Sequence, residues 1–161
     1  MRSMDISNGR GIGVSLFVQG CRAHCKNCFN SETWDFCGGK EWTEETKQTF
    51  LKLASKPYVV RISILGGEPF EPENLDGVID LLKTVKEVYP DKEVWVYTGH
   101  DFDNVLSGNE VLALPYIDVL VDGRYIEELR DITLPWCGSR NQHVIDVQKT
   151  LAGKEIVLYN K

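Results

Sequence analysis

The sequence predicts a single-domain α/β fold whose strands form a parallel sheet. Strand-like runs alternate with helical ones along the chain, and parallel strands joined in this way require right-handed crossovers. At 161 residues the chain suffices for one core and falls well short of the roughly 250 residues of a complete eight-unit α/β barrel. Four chemically distinctive clusters each follow a predicted strand directly, so a parallel sheet would gather them on one rim, where such sheets bind ligands.

Asn8-Gly9-Arg10-Gly11 reads as a turn, and Ile12 to Gln19 reads as a strand that ends at Gly20 and empties into a cysteine loop. Thr43 before Glu44 and Glu45 has the signature of an N-cap with an acidic first turn; Phe50, Leu51 and Ala54 give that helix an apolar face, and Pro57 ends it. Tyr58 to Leu65 is dense in valine and isoleucine, as in a buried strand, and Gly66-Gly67 stops it. Leu75, Val78, Ile79, Leu82, Val85 and Tyr89 recur at helical spacing, which predicts an amphipathic helix from about Glu73 to Tyr89, closed by Pro90. Glu93 to Thr98 makes a third strand ending at Gly99. A short helix near Asn109 to Leu114 precedes a fourth, Tyr116 to Val121, ending at Asp122-Gly123. His143 to Val147 and Glu155 to Tyr159 read as short strands flanking a turn at Ala152-Gly153. No repeat, low-complexity tract or linker interrupts the chain, so residues 1–161 are expected to form one domain.

Apolar residues make up 42% of the chain and charged ones 26%, with four Trp, six Tyr and six Phe, a composition that builds a core and excludes disorder. A net charge of −6 argues against nucleic acid as a partner. No run approaches the roughly 18–20 apolar residues of a membrane span. The opening Met1-Arg2-Ser3-Met4-Asp5 lacks the apolar segment of a secretory signal, so no membrane partner and a cytoplasmic setting are expected. In that compartment the five cysteines are reduced thiols rather than a disulfide framework.

Their distribution carries the chemistry. Cys21, Cys25 and Cys28 crowd into one short loop as C-x3-C-x2-C, while Cys37 and Cys137 stand apart. Three thiolates at this spacing suit three corners of a four-iron cluster. Zinc, with His24 or Cys37 completing a tetrahedron, and unliganded thiols are the competing readings. An iron without a protein ligand is open to a small chelating molecule, and S-adenosylmethionine, with adjacent amino and carboxylate groups, is such a chelator.

With Gly66-Gly67-Glu68-Pro69 added, the sequence resembles the radical S-adenosylmethionine superfamily. More narrowly it resembles the small activases of anaerobic, class III ribonucleoside-triphosphate reductases. The matching stretches are Asn8-Gly9-x-Gly11, Ser15 to Val18 with Gly20-Cys21, Cys28-Phe29-Asn30 with Trp34, Trp95-x-Tyr97-Thr98-Gly99, Val119 to Gly123, and Gly138-Ser139-x-Asn141-Gln142. The resemblance implies a partial, open (β/α)6-type barrel and a [4Fe-4S] cluster held by Cys21, Cys25 and Cys28. It implies an oxidoreductase that cleaves S-adenosylmethionine to a 5′-deoxyadenosyl radical and makes a glycyl radical on a loop of the reductase, fed by a donor such as flavodoxin or ferredoxin. Asn27, Cys28 and Phe29 would pack beside the cofactor. Gly66, Gly67, Glu68 and Pro69 would hold the methionine end, Gly67 against the ligand, and Tyr97, Thr98 and Asp122 would contact methionine or ribose. No side chain need act as an acid or base. Asn27 stands where many superfamily members carry an aromatic residue.

Plainer readings stand beside these. Gly66 to Pro69 is also an ordinary strand-ending turn, and Asp122 can cap a loop. His24, His100 and His143 are scattered and read as surface or core histidines, and the four tryptophans as packing, with Trp34 placed to shield the cysteine loop. Other functions remain open: an activase for a different glycyl-radical enzyme, a small-molecule radical enzyme, or a zinc or iron–sulfur binding module without catalysis. Gly138 to Gln142 is expected to help shape the entrance for a protein substrate.

Overall fold

The structure is a computed structural model that describes residues 1–153 and 155–160; Lys154 and Lys161 lie outside the described residues. Among the described residues six strands form one sheet in chain order: β1 (Arg2–Asp5), β2 (Gly13–Val18), β3 (Arg61–Gly66), β4 (Glu93–Tyr97), β5 (Val119–Asp122) and β6 (His143–Asp146). β2 to β5 run parallel, while β1 and β6 lie antiparallel to their neighbours. Helices α1 (Glu44–Ala54) and α2 (Pro72–Val88) make the first two crossovers, and α3 (Phe102–Ser107) with a 3₁₀ helix at Asn109–Tyr116 makes the third; α4 (Val147–Ala152) follows β6. No helix among the described residues is long and apolar enough to cross a membrane.

The fold is thus α/β with an open six-stranded sheet, and the full set of parallel β/α units expected of a (β/α)6 barrel is reduced to its four central strands. Loop length explains the reversal at β1, because residues 6–12 cannot supply the dozen or so residues of a parallel crossover. At the other edge residues 123–142 contain only a 3₁₀ turn at Glu127–Leu129 and fold back over the sheet. Local differences follow the same logic. β1 carries no β-rich signal and exists through its pairing with β2. The segment expected to run as a strand from Tyr116 begins only at Val119, since the 3₁₀ helix extends through Tyr116. Beyond β6, Val147–Ala152 is helical because Asp146 caps it, accepting from the Lys149 N–H at 3.1 Å. The strand expected at Glu155 to Tyr159 is a single bridge, Ile145 to Leu158.

Alternation along the strands gives the sheet two different faces. Val14, Leu16, Ile62, Ile64, Val94, Val96, Leu120 and Ile145 join Phe50, Leu51 and Ala54 of α1 and Val78, Leu81, Leu82 and Val85 of α2 in the main core. The opposite face carries Trp95, Val119 and Val121, covered by Trp136 and Tyr159, together with a buried polar group around Arg61. Arg61 is 0% exposed. Its guanidinium donates to the backbone carbonyls of Asp5 (2.7 Å), Arg10 (3.2 Å) and Asn8, and to Ser63 Oγ, with Asp5 Oδ1 at 3.4 Å. Asp5 in turn accepts the N–H groups of Ser7 and Asn8, both at 2.9 Å, so the loop from β1 to β2 is wound around one buried ion pair. Gly9, at φ +129°, leaves the space the Arg61 stem occupies; a Cβ there would lie 2.4 Å from Arg61 Cδ.

Removing one partner of a buried ion pair strands the other, at a cost of about 3–5 kcal/mol, so Arg61→Met is expected to lower unfolding stability in denaturant by that amount. Burial pushes the Asp5 carboxyl up, but hydrogen bonds from Asn8, Ser15 and Ser7 outweigh it and hold the group down from 3.8 to about 2. An acid held below its ordinary range stabilises the fold fully above about pH 4 and loses that contribution as pH falls through about 2. Between pH 5 and pH 2 the unmodified chain should therefore lose about 2 kcal/mol more stability than Asp5→Asn, measured by denaturant titration.

Candidate functional site

The cysteine loop starts where β2 ends. Gly20 takes φ +97°, and a Cβ there would strike the Phe36 ring. Its N–H donates to the Thr33 carbonyl (2.9 Å) and that of Cys21 to the Trp34 carbonyl (3.1 Å), which brings the outgoing and returning ends of the loop together. Between them His24 (φ +44°) and Asn27 (φ +56°) adopt left-handed conformations, which asparagine tolerates better than an aromatic would. The second turn closes with the Cys28 N–H donating to the Cys25 carbonyl at 3.1 Å, and Asn30 N–H donates to Cys28 Sγ at 3.4 Å. His24 stacks on Trp34 with ring centroids 4.5 Å apart.

Cys21, Cys25 and Cys28 all line one cavity of about 550 Å³. Gly66, Gly67 and Glu68 after β3, Tyr97, Thr98 and Gly99 at the end of β4, and Val121 and Gly123 at β5 line it too, as do Phe29 and Trp34. The cavity therefore joins clusters from four strand ends. A larger hollow of about 980 Å³, beside α1 and α2, holds Cys37 and Trp42 but none of these clusters. Among the described residues no three His, Cys, Asp or Glu side chains gather closely enough to share one ion. Burial pushes the Cys21 thiol up, with the Glu68 charge adding to it.

Gly67 lines the cavity, but its lack of a side chain answers to the protein backbone rather than to a ligand. A Cβ at Gly67 would stand 2.4 Å from the Gly20 carbonyl oxygen and 2.9 Å from that of Thr33. Gly67 N–H donates to the Val18 carbonyl (2.9 Å) and Glu68 N–H to the Gly20 carbonyl (2.8 Å), which fastens the turn to the cysteine loop. The buried Glu68 carboxylate then spans two strand ends: Oε1 accepts from Phe70 N–H and Thr98 Oγ1, both at 2.9 Å, and Oε2 from Gly99 N–H at 2.7 Å. Burial pushes the Glu68 carboxyl above the usual carboxylate range, against the lowering effect of these bonds. With both oxygens occupied, Glu68 supports the turn.

Three of the residues singled out in the sequence lie outside the lining. Asn27 is exposed on the loop, and Pro69 is buried beside the turn. Asp122 is buried: Oδ2 accepts from Phe102 N–H at the start of α3 and Oδ1 from His143 N–H, each at 3.0 Å, and His143 Nδ1 lies 3.0 Å from Oδ1. It ties β5 to α3 and β6. Tyr97, by contrast, lines the cavity, and its buried hydroxyl has no hydrogen-bond partner; burial pushes that phenol well above its ordinary range.

The structure adds a cavity wall that periodicity and motif spacing did not assign, formed by Asp131, Ile132, Leu134, Trp136 and Cys137. It also explains Gly138 to Gln142. Gln142 Oε1 accepts from the N–H groups of Gly138 (2.9 Å) and Ser139 (3.1 Å), its Nε2 donates to the Gly123 carbonyl (2.9 Å), and Asn141 Nδ2 donates to the Arg124 carbonyl (2.8 Å). The motif stitches the segment after β5 onto the end of that strand. The distance in sequence between Gly123 and Gln142 is what hid this role.

The family model of a 4Fe-4S single cluster domain matches residues 7–145. An anaerobic ribonucleoside-triphosphate reductase-activating protein of Vibrio cholerae is 40% identical over 141 residues, covering 86% of this chain and 90% of that protein. Those of Haemophilus influenzae and Escherichia coli, of the same name, are 37% identical over 140 residues (86% of this chain, 90% of that protein) and 34% identical over 143 residues (88% and 92%). Matched to that domain and to these relatives over most of its length, the chain belongs to the family of anaerobic ribonucleoside-triphosphate reductase-activating proteins.

Proposed function

We propose that this chain is a radical S-adenosylmethionine oxidoreductase that makes a glycyl radical on the anaerobic ribonucleoside-triphosphate reductase. The observation that carries this reading is that three cysteines of one loop, glycine-rich strand ends and Tyr97, whose hydroxyl has no partner, all line one cavity. Family membership supports the 4Fe-4S group and the identity of the partner. The open sheet, with the cavity at the carboxyl ends of its parallel strands, supports a partial barrel of the radical-enzyme type.

The donor set fits the group: three thiols suit a four-iron cluster and leave one iron open to the amino and carboxylate groups of S-adenosylmethionine. Held by Cys21, Cys25 and Cys28, the cluster would supply the one-electron reduction that cleaves S-adenosylmethionine, chemistry that would take a hydrogen atom from the reductase glycine and leave a glycyl radical. The chain's own residues bind, orient and shield. Cys21, Cys25 and Cys28 hold the cluster, and Asn27 lets the loop turn between them. Gly66, Gly67, Thr98 and Gly99 form a wall whose spacing Glu68 sets, with Pro69 behind the turn and Asp122 anchoring β5. Tyr97, whose hydroxyl has no partner in the protein, would offer its hydroxyl hydrogen to bound S-adenosylmethionine. Trp34 and Phe29 exclude water, and no side chain acts as an acid or base, so positioning is the protein's main contribution. A one-electron donor such as flavodoxin or ferredoxin in a reducing cytoplasm completes the cycle.

Anaerobic reconstitution with iron, sulfide, dithionite and S-adenosylmethionine is expected to yield 5′-deoxyadenosine. Cys21→Ala, Cys25→Ala or Cys28→Ala should abolish both that product and the cluster's absorption, while Cys37→Ala keeps both; one equivalent of zinc in anaerobically purified protein would sink the assignment. Tyr97→Phe removes a hydroxyl that the free protein leaves unsatisfied, so the melting temperature should hold or rise while S-adenosylmethionine binding by calorimetry weakens about fivefold to tenfold. Gly67→Ala forces backbone apart at Gly20, so it should lower iron bound per chain as well as S-adenosylmethionine affinity.

A further inference from the structure

Cys21 is pinned on both flanks, and both pins come from the turn that follows β3. On one flank the Gly20 carbonyl accepts the Glu68 N–H at 2.8 Å. On the other the Arg22 N–H donates to Glu71 Oε1 at 2.8 Å, and the Arg22 guanidinium returns to the same carboxylate, with Nη1 2.6 Å from Oε2. Glu71 thus grips residue 22 by main chain and side chain together. It is itself tied to the turn, because its N–H donates to the Glu68 carbonyl at 3.2 Å. The guanidinium also donates to Glu73, from Nη1 at 2.9 Å and from Nη2 at 2.5 Å, and lies over the Phe36 ring, 4.3 Å from its centroid. Exposure separates the partners: Glu71 is 8% exposed, whereas the side chains of Arg22 and Glu73 are 59% and 49% exposed. Neither Arg22 nor Glu71 lines the cavity, so the pair acts on the site from outside it.

We propose that Glu71, acting through Arg22, is a positioning residue for the first cluster ligand, and that the charges of this pair set the potential at which the cluster takes up its electron. This rests on the assignment, made above, of Cys21, Cys25 and Cys28 to a 4Fe-4S cluster. The first half of the argument is geometric. With residues 20 and 22 both fastened to the 68–71 turn, the backbone that carries the Cys21 thiol is fixed before metal arrives, and a ligand already in place removes an ordering cost from binding. The second half is electrostatic. Consecutive Cα atoms lie about 3.8 Å apart, so Arg22 and the carboxylates it holds stand beside the first ligand. Reduction adds one negative charge to the cluster; a carboxylate nearby opposes that charge and a guanidinium favours it. Burial of Glu71 limits the screening of its charge by water and salt, and the potentials of such clusters respond to local charge and hydrogen bonding.

The test uses the full-length chain, reconstituted anaerobically and poised without S-adenosylmethionine or reductase. It reads the midpoint potential of the cluster from its paramagnetic signal, together with iron bound per chain. Glu71→Gln removes one negative charge with little change of shape, so the midpoint should rise by about 59 mV, a tenfold larger ratio of reduced to oxidised cluster at a fixed potential. Arg22→Gln removes the positive charge and should move the midpoint the opposite way by a similar amount. The Arg22 side chain is largely exposed, so this variant should keep its melting temperature even where Glu71→Gln does not. Arg22→Lys keeps the charge and should return the potential to that of the unmodified chain. Glu71→Gln should also lose iron to a chelator about tenfold faster, because one flank of Cys21 is loosened. A merely structural ion pair predicts iron loss in both glutamine variants with an unmoved potential in the cluster that remains, and that result overturns the proposal, as does a shift of the same sign in both. The measurement needs no turnover: opposite shifts in a protein that forms no 5′-deoxyadenosine support the role of the pair and refute the radical chemistry.

Discussion

Gly20 and Gly67 meet backbone to backbone, and the cysteine loop is built outward from that contact. The carbonyl of Gly20 receives the Glu68 N–H at 2.8 Å while its own N–H reaches Thr33 at 2.9 Å, so one residue joins the end of β2, the end of β3 and the returning limb of the loop. A Cβ on either glycine has nowhere to go: at Gly67 it would meet Gly20 and Thr33 backbone, at Gly20 the Phe36 ring. The Glu68 carboxylate extends the clasp to β4 through Thr98 and Gly99. Three parallel strand ends are thereby held in fixed relation before any ligand arrives, which is the condition for placing a reactive group by position alone.

Arg61 plays the corresponding part at the opposite end of the same sheet. Its guanidinium sits at the start of β3 on the face away from the helices, and the loop after β1 is wound around it. Such an ion pair, desolvated on all sides, adds little net stability over an apolar filling but penalises any other arrangement of the loop. The loop it fixes places Ser7 and Asn8 in the cavity wall. One pole of the strands is thus set by a buried charge and the other by glycine backbone, and the cavity lies between them.

The reversal of β6 has a functional side. Because the chain between β5 and β6 makes no helical crossover, its residues are free to fold across the open face of the sheet as a hairpin, and Asn141 and Gln142 bind that hairpin to Gly123 and Arg124. The cavity is thereby lined by both the cysteine loop and the segment that folds back after β5, with Phe29 from the one and Ile132 from the other.

Much of this was legible in the residues themselves. The four parallel strands, the two long helices and the position of the cysteine loop follow from β-branched runs, helical periodicity and terminating glycines, which are local signals. So does the gathering of strand-end clusters on one rim, since a parallel sheet puts every carboxyl end on the same side. What local pattern could not express is anything made by partners distant in sequence. β1 exists through its pairing with β2, Asp122 turns to Phe102 and His143 rather than to the cavity, Gly67 is small because of Gly20, and Gln142 serves Gly123. Cys137, featureless in the sequence, reaches the cavity of Cys21, Cys25 and Cys28 because the hairpin carries it there. The sequence by itself determined the four parallel strands, the two long helices and the residue types that line their ends; the tertiary structure decided the edge elements, which residues face the cavity and which hold the walls apart, because those depend on contacts between segments far apart along the chain.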